Sequence, residues 1–215
     1  MKAINLYIWL AAMLFPTSFV NAQDDAFGPL TNTDDFVQKV KTRTAATQTI
    51  QSDFRQEKHL TMLEEVLESE GHFIFKKENN VVWSYTRPLD YTIIVHNGKF
   101  IIKDGDKVKE FDIASNRMFK EINNMIVTSV SADFLDNPDF EAVYMENEMF
   151  YLARLVPVKP EVKDMLSEID IFFDKKDMQV AKVKFLEPGD DYTLITFSGK
   201  VFNEAVPDNV FTVSN

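Results

Sequence analysis

Between Gly71 and Asp112 the chain runs through five short stretches of alternating apolar and polar residues: Gly71–Lys77, Asn80–Thr86, Tyr91–His96, Lys99–Asp104 and Lys107–Asp112. A period of two gives each stretch one dry face. Parallel neighbours need a crossover of about a dozen residues or more, and the breaks between these stretches are far shorter, so they predict antiparallel pairing. The breaks at Asn97-Gly98 and Asp104-Gly105 carry the dipeptides whose positive φ suits hairpin turns, and Lys77-Glu78-Asn79 and Arg87-Pro88 supply two more connections. The segment predicts a β meander. The same alternation begins earlier, with Ile50, Ser52 and Phe54 set against Gln51, Asp53 and Arg55. It returns at Phe140–Glu146, Glu148–Val158, Ser167–Phe173, Gln179–Leu186, Tyr192–Ser198 and Asn209–Val213, with turns at Asp174–Asp177 and Pro188–Asp191.

Helical spacing interrupts this pattern in two places. Asp34 is placed to cap a helix that carries Phe36, Val37, Val40 and Ala45 and ends near Ala46. From Ala114 to Val130, Met118, Phe119, Ile122, Met125, Ile126 and Val130 recur at three- and four-residue steps, which predicts an amphipathic helix. A short helical turn fits Pro160–Leu166. The fold class is mainly β with helices. All six glycines fall at the ends of these elements or in turns, which leaves none for a phosphate-cradling loop.

Residues Met1–Ala22 hold Lys2, an apolar stretch from Ile4 to Phe15, Pro16 and a small residue at Ala22, the pattern of a secretory signal peptide cleaved after Ala22. The apolar stretch falls short of the ~20 residues of a membrane-spanning helix. Residues 23–215 then form one domain, carrying 34 acidic side chains against 22 basic once Lys2 of the original 23 is gone, a balance of −12. Such a charge repels phosphate backbones, so nucleic acid is excluded as a partner. No cysteine is present, which removes disulfides, thiolate metal sites, cysteine nucleophiles and thioether lipidation together. His59, His72 and His96 lack metal-ligand spacing, and the carboxylate pairs Asp34-Asp35, Asp104/Asp106 and Asp190-Asp191 sit in caps or turns, where Asp is favoured for local hydrogen bonding. Glu64-Glu65 is a fourth such pair. The sequence points to no enzyme, cofactor or metal.

What stands out is apolar surface. The strand faces carry Phe54, Phe73 and Phe75, Trp83 and Tyr85, Ile93 and Val95, and Phe100 and Ile102, and the central helix adds Met118, Ile122, Met125 and Ile126. Plain core and a ligand cavity both fit these residue types, although methionine adapts well to ligands of differing shape.

A resemblance separates the two. The runs Ser52-Asp53-Phe54-Arg55-Gln56, Gly71–Lys77, Trp83-Ser84-Tyr85-Thr86-Arg87-Pro88 and Asn97-Gly98, closed by Asn203-Glu204-Ala205-Val206-Pro207-Asp208-Asn209-Val210-Phe211, resemble the LolA-type periplasmic lipoprotein carriers in order and spacing from about Asp34 to Phe211. The resemblance implies an unclosed antiparallel β-barrel, a half-barrel with a helical lid over a hydrophobic cavity for lipoprotein acyl chains. It also implies a periplasmic monomer with two partners, an inner-membrane ATP-driven release complex and an outer-membrane acceptor. On this reading the nine strand residues line the sheet side of the cavity and the four helix residues the lid side. Family members commonly place an inward arginine and a proline where this chain has Lys77-Glu78, and that arginine latches the lid. Lys77 shares its strand face with Phe73 and Phe75 and keeps the charge, but it lacks the planar fork that makes several bonds at once. Two alternatives stay open: the same fold carrying a glycolipid, pigment or other lipid, and a periplasmic sensor or interaction module that binds protein through its open sheet.

Overall fold

The computed structural model describes residues 26–115, 135 and 137–213. The signal segment Met1–Ala22 and the lid-side residues Met118, Ile122, Met125 and Ile126 lie outside the described residues. Strand β1 (Gly28–Pro29) and helix α1 (Thr33–Ala46) come first, followed by β2 (Thr49–His59), β3 (Leu67–Lys76), β4 (Asn80–Arg87), β5 (Tyr91–His96), β6 (Lys99–Asp104) and β7 (Lys107–Asp112). The second half contributes β8 (Phe140–Glu146), β9 (Phe150–Pro157), β10 (Glu168–Asp174), β11 (Val180–Leu186) and β12 (Tyr192–Phe202). All twelve strands form one antiparallel sheet in the order β1-β8-β9-β10-β11-β12-β2-β3-β4-β5-β6-β7. The sheet does not close: β1 and β7 are its two edges. The first is two residues long, and the second exposes Lys107, Lys109 and Glu110.

The turns follow the predicted chemistry. Glu78 and Asn79 between β3 and β4, and Asn97 and Gly98 between β5 and β6, all have positive φ, as tight hairpins require. The pairing that organises the sheet is the long-range one, β12 against β2, which sets Phe197 opposite Phe54 and Ile195 opposite Gln56. It joins the meander to the second half of the chain and makes one continuous inner face.

Two apolar clusters share that face. One gathers Ile50, Phe54, Phe73, Phe75, Val81, Trp83, Tyr85, Val95, Phe100 and Ile195. The other places Phe36 and Val40 of α1 on Ala153, Leu155, Ile169, Ile171, Phe173 and Val183, so that α1 covers the β9–β11 half. Phe185 and Phe197 touch both clusters. On the outer face Val206 and Phe211 of the C-terminal segment pack on Val82, Ile94 and Ile101.

Three sequence expectations need correction. Helix α1 is capped by Asn32, whose side chain accepts from the Asp35 N–H, and not by Asp34, which falls in the first turn where a carboxylate suits the helix dipole. The stretch Asn209–Val213 is not a strand: Asp208–Phe211 forms a 3-10 turn, because its apolar residues anchor a covering segment at the outer face and do not extend the ladder. Gly71 and Gly199 lie inside strands. Gly199 has positive φ at the β12 bulge, and Gly71 sits at the β3 bulge, where an added Cβ would come 1.8 Å from the Ser84 carbonyl oxygen.

The closing segment also finishes helix α1. A helix leaves its last carbonyls without intrahelical donors. Here the Arg43 carbonyl accepts from the Thr47 hydroxyl (2.9 Å), Thr44 from the Thr47 N–H (3.1 Å), Ala45 from Lys77 Nζ (2.6 Å) and Ala46 from Asn203 Nδ2 (3.1 Å). Asn203 Oδ1 accepts in turn from the Gln48 N–H at 2.7 Å, and its φ of 62° is one that Asn tolerates better than most residues. Asn203→Ala is therefore expected to cost about 2 kcal/mol in chemical denaturation, from two lost bonds and a strained φ, with Asn203→Asp recovering part of it.

Candidate functional site

Where the two apolar clusters meet, the inner face leaves a cavity of about 470 Å³. Its wall is drawn from both halves of the sheet: Trp83 and Tyr85 of β4, Ile93 of β5, Val183 and Phe185 of β11, Ile195 and Phe197 of β12, with Met165 and Leu166 from the loop before β10. With a methylene taking roughly 30 Å³, about the share of one liquid water, the space suits a chain of about fifteen carbons. Cross-strand registry explains the wall: Trp83 pairs with Ile93 and Val183 with Ile195, so same-face residues of neighbouring strands meet.

Of the nine predicted sheet-side residues, Trp83, Tyr85 and Ile93 front this cavity. Phe54, Phe73, Phe75, Val95 and Phe100 belong to the same cluster but are buried beneath it, and Ile102 packs against its edge. The aromatic packing is dense. Trp83 lies 5.0 Å from the ring centroids of both Phe54 and Phe73, and Tyr85 stacks on Tyr91 at 4.4 Å. These residues stiffen the floor while the space lies above and beside them.

Polar groups on the wall are few. Tyr85 donates its hydroxyl to Gln56 Oε1 at 3.0 Å, and burial pushes that hydroxyl, like that of Tyr91, above its ordinary range. Lys58 Nζ meets Glu187 Oε1 at 3.0 Å. Beside them Thr61 donates its N–H (2.6 Å) and its hydroxyl (2.9 Å) to Asp191, and those bonds hold the Asp191 carboxyl below its ordinary range. Lys77 points to the end of α1 through its bond to Ala45; its relation to residues 116–134 lies outside the described part of the chain. Among the described residues, His72 pairs with Asp53, His96 with Asn80 and His59 with Glu57.

The wall residues Met165, Leu166, Val183, Phe185, Thr193, Ile195 and Phe197 are absent from the sequence-based set. Their strands were legible from the same alternation; the β12–β2 pairing that brings them beside Trp83 was not.

The family model described as "Outer membrane lipoprotein carrier protein LolA" matches residues 45–214. The chain belongs to the LolA family. No curated protein matches it. Among solved structures, the LolA superfamily protein of Nitrosomonas europaea is 10% identical, with 82% of this chain and 97% of that one covered and a TM-score of 0.44. The lipoprotein LppX of Mycobacterium tuberculosis is 12% identical over 82% and 99% of the two chains, with a TM-score of 0.44. MucB, solved with MucA from Pseudomonas aeruginosa, is 10% identical over 84% and 60%, with a TM-score of 0.46. The LolA assignment rests on the sequence match. The closing motif of the resemblance has a structural role here, since Asn203, Val206 and Phe211 tie the chain end to α1 and to the outer face.

Proposed function

We propose that this LolA-family chain is a non-enzymatic carrier, exported to the periplasm, that shields the acyl chains of lipoproteins in its cavity between the inner and outer membranes. The observation that carries the reading is the apolar cavity at the junction of the two sheet halves, large enough for a hydrocarbon chain. At roughly 0.8 kcal/mol per methylene, fifteen carbons prefer such a site to water by about 12 kcal/mol, so unassisted passage through an aqueous gap is negligible. A carrier must match that preference only in part, so that a membrane acceptor can take the chain over. An ATP-driven release complex in the inner membrane and an outer-membrane acceptor are the partners this role requires.

The test is mass spectrometry of material extracted from protein purified without detergent. Acylated peptides are the expected result. Free glycolipid or pigment alone would move the chain to another cargo, and failure to take up a fluorescent fatty-acyl probe would favour a protein-binding module.

Gating through Lys77 belongs to the same proposal: by the resemblance it would latch the lid helix expected over Ala114–Val130, of which residues 116–130 lie outside the described residues, and its Nζ holds the end of α1. Lys77→Met should change stability by less than about 1 kcal/mol, a single exposed cap, while stopped-flow displacement of an acyl probe becomes faster. An unchanged displacement rate would limit Lys77 to capping the helix.

A further inference from the structure

Among the described residues, charge enters the largely apolar cavity wall at one place. Among the described residues its charged wall groups are Lys58 on β2 and Glu187 just past β11, paired at 3.0 Å and each about one-third exposed. Both sit toward the strand ends that also carry Met165 and the β11–β12 turn. That turn adds Asp190 and Asp191, and Asp191 lies near enough for the Lys58 cation to act on its carboxyl. One cation thus faces one paired carboxylate and a second close by. A lysine alone at the end of a greasy cavity would hold a fatty-acid carboxylate. Here its charge is already matched, and an anionic headgroup must either displace Glu187 or lie beside uncompensated acidic groups. Gln56 and Thr193, also on the wall, offer neutral hydrogen bonds to an ester or amide.

We infer that the Lys58–Glu187 pair is a charge filter, and that the cavity takes acyl chains attached through uncharged ester or amide linkages in preference to free fatty acids. The inference rests on the carrier reading above and narrows its substrate class. An acyl group on a protein or a glycerol passes such a filter, whereas the free acid produced by its hydrolysis does not.

Calorimetric titration of the purified chain with laurate and with glycerol monolaurate, at about pH 8 where the carboxylate is ionised, separates the possibilities because the hydrocarbon is the same in both. The monolaurate should bind roughly fivefold tighter or more, the scale of a partly exposed charge interaction. Glu187→Gln, which keeps the side-chain shape and frees Lys58, should improve laurate binding roughly fivefold and leave the monolaurate nearly unchanged. Combining it with Lys58→Met should remove that gain, which assigns it to the lysine. Equal affinities in the unmodified protein, or a preference that Glu187→Gln does not move, would overturn the filter. Failure of both ligands to bind would overturn the carrier reading itself, and the filter with it.

Discussion

Gly71→Ala is expected to destabilise the protein by about 3 kcal/mol or more, read as a lowered denaturation midpoint with the slope unchanged. The reason is backbone contact. At the β3 bulge the position a Cβ would occupy is 1.8 Å from the Ser84 oxygen and 2.9 Å from the Tyr85 Cα, both main-chain atoms of β4 that cannot rotate aside. Relief requires β3 and β4 to part, and the pairs that part first hold Tyr85 and Trp83 over the cavity. The same variant should therefore lose acyl-probe affinity as well as stability. Gly98→Ala is the control: nothing lies within 4 Å of its Cβ position, so its cost is limited to the positive φ of the turn, about 1 kcal/mol. Equal costs at the two positions would remove the close approach as the cause.

Partly filling the cavity should weaken binding strongly while sparing the fold. Thr193 is half-buried on the wall, beside Phe185 across the β11–β12 pair, so a larger side chain there grows into open space and not into packed core. Thr193→Trp takes up the room of about four methylenes, worth roughly 3 kcal/mol of burial at about 0.8 kcal/mol each, which is a loss of roughly a hundredfold in acyl-probe affinity. The denaturation midpoint should move little. Retained affinity would place the bound chain somewhere other than this cavity.

The meander was legible because each of its signals is local. The alternation of Phe73 with His72 and Ile74, the Asn97-Gly98 dipeptide and the parity of Val81, Trp83 and Tyr85 are all set within a few residues, and β5, β6 and β7 begin and end at the predicted positions. The Ala46 end of α1 was legible for the same reason. Where the cavity lies depends on contacts that sequence spacing does not carry. Phe54 and Phe197 are 143 positions apart, and only the β12–β2 ladder makes them neighbours. That ladder brings Val183, Ile195 and Phe197 onto the cavity wall, so of the nine strand residues picked out by local alternation only Trp83, Tyr85 and Ile93 line the cavity. The role of Asn203 was hidden similarly, since nothing in its neighbourhood in the chain announces that it finishes a helix at residue 46.

A half-barrel has a weakness that a closed barrel lacks: its outermost strands offer unpaired main-chain groups on which another molecule's strand can build. In this protein the first border is two residues long, and the other presents Lys107, Lys109 and Glu110. At the second border an approaching strand would have to desolvate exposed charged side chains of both signs. The border strand β7 thus carries its own deterrent to strand addition, independent of whatever the inner face holds.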